Sequence, residues 1–381
     1  MKNYYLLGIA CLCIAFLSLP LLAEYNHDIF QLFDPYFFVN KIQVYNCWPD
    51  QIKKSCFLFQ NLPCPNDHPG CHAGNMAFRF TIPFLLKLLK YERYVYYSQV
   101  FLGIYSLYAV YLISTTINKS RTINILFLLC FITTYSGYAF IYEFRGLGDA
   151  LAFSFMIAAL QFRNLLIQFI CLQIAYWTDE RAIIGSVGIG IYWLVINGEE
   201  FMKSFKFSKV TKFIYNDRPT QVLLLSWFSY FLVRIILSTL FGLHTPKEDA
   251  NLSIITDRTF ASVVVVFLNS HKFFIVFFFI AGYYLYQIKA WFIMLLLSTY
   301  FIGYHITSHM VYDNYRSLGF GFPIYFITFY MSSLFLTYSK MRRLMFIGAI
   351  VNGILFPVRH IVVPLNNLLK ISVTKYSNFK N

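Results

Sequence analysis

Long apolar runs recur along this chain of 381 residues, at 95–116, 122–142, 222–242, 273–287 and 318–338 among others. A helix needs about 20 predominantly apolar residues to cross a hydrocarbon core about 30 Å thick, and most of these runs reach that length with their flanks. No single water-soluble core absorbs so many. In lipid, backbone N–H and C=O groups must be satisfied within the spanning structure, which a bundle of helices does. Composition agrees, with 58% hydrophobic, 20% aromatic and 13% charged residues against roughly 25% charged in an average soluble domain. The sequence predicts an all-α fold, a polytopic transmembrane helical bundle of about eleven spans, as a single transmembrane domain over residues 1–381.

A net charge of +14 raises the question of a nucleic-acid partner, because basic faces neutralise phosphates. The placement of the charge argues against one: Lys and Arg sit in short clusters between apolar runs, as topology signals do, and not on a contiguous face. Apolar residues 4–23 follow a basic start and end on a small residue, Ala23, as a cleaved signal peptide would. Their length favours a retained first helix. With Lys2 on the cytoplasmic side, the cytoplasmic turns fall at 118–121, 161–164, 198–221, around 289 and at 339–343, and each carries Lys or Arg. The other side receives 24–93, 142–148, 178–181, 244–271 and 305–316, where most of the acids and histidines collect. Residues 149–161 and 165–177 are short for spans, so thinning of the bilayer or snorkelling of Arg163 must help them. The basic tail beyond residue 364 conflicts with an external C-terminus.

The outer loop at 24–93 contains Cys47, Cys56, Cys64 and Cys71 in a turn-rich setting of proline, asparagine and glycine, with membrane-surface segments around it. Four such cysteines facing an oxidising compartment predict two disulfides, with three possible connectivities. A metal site with His68 and His72 is the rival, although the spacing contains no CxxC pair. Cys11, Cys13, Cys130 and Cys171 fall in apolar runs and are expected to pack.

Several polar elements cap the outer ends of the runs. Asp34, in Phe33-Asp34-Pro35-Tyr36, is either a general base, tuned by partial desolvation, or a helix N-cap before proline. Asp149 follows Arg145-Gly146-Leu147-Gly148. Capping accounts for Asp149, while the Arg145 guanidinium has the shape to fork onto an anion. Thr178-Asp179-Glu180-Arg181 is a dense charged turn, which either starts the next helix or serves a site, since charge at membrane depth is costly. Asp257-Arg258 reads as an ordinary loop pair. Near the end, His305 and His309 share a helical face on which Asp313 continues the stripe. A metal there competes with simple hydrogen bonding, and Asp313 with Arg316, one turn on, has the spacing of an ion pair.

The order of these elements resembles that of the GT-C superfamily, polytopic glycosyltransferases that use lipid-linked sugar donors. The resemblance is carried by the acid of Phe33-Asp34-Pro35-Tyr36, the segment Phe78-Arg79-Phe80-Thr81-Ile82-Pro83, the short central helices with Thr178-Asp179-Glu180-Arg181, and Asp313 to Arg316 followed by Pro323. It implies a GT-C-like bundle whose catalytic face is non-cytoplasmic, with Asp34 as the base that deprotonates the acceptor. Arg145, Arg181 or Arg316 would steady the departing donor phosphate, and Arg79, Asp149, Asp179, Glu180, His309 and Asp313 would complete the substrate site. The implied partners are a polyprenyl-phosphate-linked sugar and membrane lipids, while sugar and acceptor stay open. The first loop lacks the Asp-x-Asp of some members, which leaves metal dependence open: the sequence shows no required cofactor, and a divalent ion is compatible. The alternatives are a polysaccharide polymerase, a lipid or sugar transporter or flippase, and a non-catalytic membrane scaffold.

Overall fold

The computed structural model describes residues 78–89, 92–142, 148–197, 215–241, 260–310 and 314–354. Among the described residues every regular element is a helix. In chain order these are α1 (Thr81–Leu89), α2 (Glu92–Ile117), α3 (Arg121–Ile132), α4 (Tyr135–Tyr142), α5 (Asp149–Gln161), α6 (Leu165–Thr178) and α7 (Arg181–Asn197). They continue with α8 (Arg218–Phe241), α9 (Phe260–His271), α10 (Phe274–Gln287), α11 (Trp291–His309), α12 (Asn314–Gly319), α13 (Pro323–Phe335) and α14 (Tyr338–Ile354). The cysteine-rich loop, Asp34, Arg145 and Asp313 lie outside the described residues. Cys130 and Cys171 are free and buried in α3 and α6, where they act as small apolar side chains.

Among the described residues three helices are long and apolar enough to cross a membrane: Tyr97–Ile117 of α2, Arg218–Leu240 of α8, and α11. The pair Val263–His271 and Phe274–Gln287 qualifies as a fourth, bent by 87° at its break. On α8 the side chains of Leu224, Leu225, Phe228, Phe231, Leu232, Ile235 and Ile236 are exposed, an apolar surface that water would not tolerate at this size and lipid accepts.

The ends of the helices follow local chemistry. Asn164 caps α6 by accepting from the N–H groups of Leu166 and Ile167, and Ser120 caps α3 by accepting from Ile123. Pro323 opens α13, where its missing N–H costs nothing. At the α9–α10 break Lys272 takes a φ of 49°, and the N–H of Phe273 donates to Asn352 Oδ1 of α14 at 2.9 Å.

The centre is α5. Nearly all of its residues are buried, and it packs on both α2 and α6. At 13 residues it is about 20 Å long, which is short for the hydrocarbon core. Its neighbours rather than lipid surround it, so the thickness rule does not apply to it directly. The hydroxyl of Ser186 fastens α6, α7 and α8 together, accepting from Tyr176 at 2.9 Å and Trp227 at 2.8 Å. Rings from α3, α10 and α13 fill the other side, with Phe127 against Phe329 at 4.4 Å and Phe274 stacked on Tyr325 at 4.2 Å. Such pairs add about 0.5–1.5 kcal/mol beyond their area.

Gly148, ahead of α5, has a φ of 85°, and a Cβ there would meet Thr178 Cγ2 at 2.8 Å. Gly148→Ala is therefore expected to destabilise the bundle by about 1–2 kcal/mol from the backbone alone, read as a lowered thermal midpoint in detergent. An unchanged midpoint would contradict the left-handed turn.

Candidate functional site

The charged elements at 79, 149, 179–181 and 316 converge at one end of the bundle, where α1, α5 and α7 begin and α6 ends. Each is delivered differently. Gly148 turns the chain so that Asp149 starts α5 with its carboxylate among neighbouring helices. The turn from α6 to α7 presents Asp179, Glu180 and Arg181 together, and Asp179 Oδ1 accepts from the Arg181 N–H at 3.0 Å. Thr81 Oγ1 donates to the Ile174 carbonyl at 3.2 Å, which holds α1 and hence Arg79 against α6. Arg316 rides on α12, which the hydroxyl of Tyr304 ties to α11 through the Ser317 and Leu318 carbonyls.

These side chains form a single alternating network of three arginines and three acids. Arg79 forks onto Glu180, with Nε to Oε2 at 3.1 Å and Nη2 to Oε1 at 2.9 Å, and its Nη1 lies 3.3 Å from Asp179 Oδ2. Arg181 donates from Nε to Asp179 Oδ1 at 2.8 Å, from Nη2 to Asp179 Oδ2 at 2.5 Å and to Asp149 Oδ1 at 2.9 Å, and from Nη1 to Ser317 Oγ at 3.0 Å. Arg316 donates to both Asp149 oxygens, Nη2 to Oδ1 at 2.8 Å. The Tyr135 hydroxyl adds a bond to Asp149 Oδ2 at 2.8 Å. The Phe320 ring underlies the Arg181 guanidinium at 5.1 Å, a cation–π contact. Asp149 and Asp179 have no exposed side-chain surface, whereas the Glu180 side chain is 29% exposed.

Six buried or partly buried charges are tolerable here because they cancel and every carboxylate is hydrogen-bonded. Burial works to raise the Glu180 carboxyl, but the charge of Arg79 and its two hydrogen bonds outweigh that and hold it at about 2. Burial likewise works to lower Arg79, and Asp179 and Glu180 reverse it, keeping the guanidinium above its usual range.

Comparisons with family models, curated proteins and solved structures found no match. The site therefore speaks only through its own geometry. Arg79, Asp149, Asp179, Glu180, Arg181 and Arg316, all singled out in the sequence, are brought together. Asp149 is not the capping residue, since Gly148 occupies that position, and its carboxylate is used wholly across the bundle. Asp179 accepts from the Arg181 N–H at the start of α7, as the capping reading of its turn expects, and its carboxylate also pairs with the Arg181 guanidinium. Asp34 and Arg145 lie outside the described residues, and so does Asp313, the nearby partner expected for Arg316.

The histidines take separate partners. His309 Nδ1 meets Asn314 Nδ2 at 3.0 Å. His305 Nε2 faces His271 Nε2 at 2.8 Å, its Nδ1 bonds the Phe301 carbonyl at 2.6 Å, and His271 Nδ1 meets the Tyr325 hydroxyl at 3.0 Å. Among the described residues no three metal-ligating side chains gather.

Sequence reasoning missed Tyr135, Ser317 and the buried Lys272, whose ammonium donates to the Thr133 carbonyl. Only Lys272 left a signal, a cation at the end of the short polar run Asn269-Ser270-His271 between two apolar stretches.

Asp149→Asn keeps the shape of the side chain but removes the carboxylate that Arg181 and Arg316 share, and is expected to cost about 3–5 kcal/mol, measured by unfolding in detergent. The pH dependence has a definite sign. Because the Glu180 carboxyl is depressed to about 2 in the fold from about 4.3 in an unfolded chain, its contribution is complete above that unfolded value. It is lost as pH falls from about 4.3 towards about 2. Thermal midpoints recorded across that window should fall for the wild type and fall less for Glu180→Gln; parallel curves would refute the assignment.

Proposed function

We propose that this chain is a multi-pass membrane glycosyltransferase of GT-C-like architecture, with about eleven spans, moving a sugar from a polyprenyl-phosphate-linked donor to an acceptor on the non-cytoplasmic face. The supporting observation is the convergence of Arg79, Arg181 and Arg316 with Asp149, Asp179 and Glu180 at one end of the bundle. Charge at membrane depth is costly, and where it is assembled from many separate elements a functional site is the default expectation. In the reaction the bond between the anomeric carbon and the donor phosphate oxygen breaks, and the acceptor oxygen bonds to that carbon. Asp34 takes the acceptor proton, and the lipid phosphate departs with the bonding electron pair. Guanidinium groups stabilise the charge developing on that phosphate. A divalent ion would serve the same purpose and is compatible with this scheme.

A transporter is the second reading, favoured by the 87° break between α9 and α10 with Lys272 buried at the elbow. Discontinuous helices with polar groups at the break line the substrate sites of many transporters. Uptake of a sugar or lipid into proteoliposomes without chemical change would favour it.

Asp34→Asn is expected to lower transfer from a lipid-linked sugar by about 100-fold or more, as loss of a general base does, without altering the unfolding midpoint. Unchanged transfer would remove Asp34 from the mechanism. The orientation is tested separately: a cysteine at Lys206 should resist an impermeant thiol reagent added outside intact cells, and labelling there would invert the topology.

A further inference from the structure

Within the six-charge network the three acids are not equivalent. Asp149 is shared between Arg181 and Arg316, and Asp179 between Arg79 and Arg181, and neither side chain is exposed. Glu180 forks onto Arg79 through two bonds and is the most exposed of the three, at 29%. Two parallel N–H···O bonds from one guanidinium are also the geometry in which arginine takes a phosphate, whose oxygens present the same spacing as a carboxylate. Glu180 thus holds Arg79 in the way a phosphate ligand would.

The surroundings of Arg79 point to the rest of such a ligand. Its neighbour Phe80 stacks on Trp177 at 5.5 Å, and Phe78 packs with Phe80, Trp177 and Leu237. The Arg234 guanidinium of α8 lies 4.2 Å from the Phe78 ring. From there the apolar face of α8 runs on through exposed Ile235, Ile236 and Leu240. Arg79 is thus flanked in sequence by two rings packed around Trp177, with a second cation, Arg234, over Phe78 and the exposed apolar face of α8 beside them; this suits an anionic head with an apolar chain better than it suits a free anion.

We infer that Arg79 is the seat of the donor's phosphate, that Glu180 occupies this seat until the phosphate displaces it, and that the isoprenoid chain lies along α8 beside Phe78 and Trp177. This rests on the transferase reading above and adds to it a closed resting state. Displacement of Glu180 leaves its carboxylate on the exposed side, where water solvates it, and Asp149 and Asp179 keep Arg181 and Arg316 in place.

The apparent affinity of a site open for a fraction of the time is reduced by that fraction. Removing the competitor should therefore tighten binding by about tenfold or more if Glu180 holds the seat at least nine-tenths of the time. Titration calorimetry on the purified full chain in detergent, with farnesyl phosphate and with inorganic phosphate as probes, measures this directly. Glu180→Gln is expected to bind farnesyl phosphate more tightly than the wild type, and adding Arg79→Ala to it should abolish the gain. Glu180→Asp keeps the charge with a shorter reach, should fall between the two, and supplies the test if Glu180→Gln does not fold. Equal affinity of wild type and both Glu180 variants overturns the inference and leaves the transferase reading standing. An equal gain for inorganic phosphate overturns the lipid assignment, and absence of binding to either probe by any folded variant overturns the transferase reading as well.

Discussion

A carboxylate sealed from water, gripped by two guanidiniums and a phenol, sets the terms for the whole charged end of this molecule. Asp149 is stable there only while Arg181, Arg316 and Tyr135 all reach it, so α4, α5, α7 and α12 share a single admissible arrangement. Buried ion pairs of this kind contribute little net free energy but penalise every alternative packing that leaves one charge behind. In a bundle packed largely through dispersion between similar aliphatic and aromatic groups, that penalty is a natural source of register. Between helices in a bilayer the hydrophobic effect would not supply it.

The short central helices depend on the same arrangement. α5 and α6 are too brief to span a bilayer unaided, and α5 is surrounded by protein. Their polar ends consequently fall below the surface of the bundle, where only mutual compensation is available. That places charged termini from distant parts of the chain against one another. Ser186, Gln173 and Thr81 carry out the fastening around them with neutral hydrogen bonds.

Apolar run length and charge sorting are enough to anticipate an all-helical fold and to put the residues at 79, 149, 179–181 and 316 on one side, because both signals are written locally in composition. Which arginine meets which acid is not a local property. Arg316 reaches across to Asp149, a partner determined by how α12 docks and not by spacing along the chain, while Asp313, expected one turn away, lies outside the described residues. Tyr135 is invisible in the sequence for the same reason, being one tyrosine among 30. The break at Lys272 is legible in principle, since the polar run Asn269-Ser270-His271-Lys272 separates two apolar stretches there. Assigning the residues up to His271 to an outer loop conceals it, and α9 is instead a helix.

The pair of histidines beside that break has a consequence for where hydrogens reside. The His305 Nδ1 proton is committed to the Phe301 carbonyl, so its Nε2 presents a lone pair. In a neutral pair His271 then donates from Nε2 and accepts at Nδ1 from the Tyr325 hydroxyl. With both imidazoles neutral, the chain of bonds from Tyr325 to Phe301 has one direction. A proton added at His305 Nε2 would reverse the direction: His271 would accept at Nε2 and donate from Nδ1, and the Tyr325 hydroxyl would turn to the Ser270 carbonyl, 3.3 Å away.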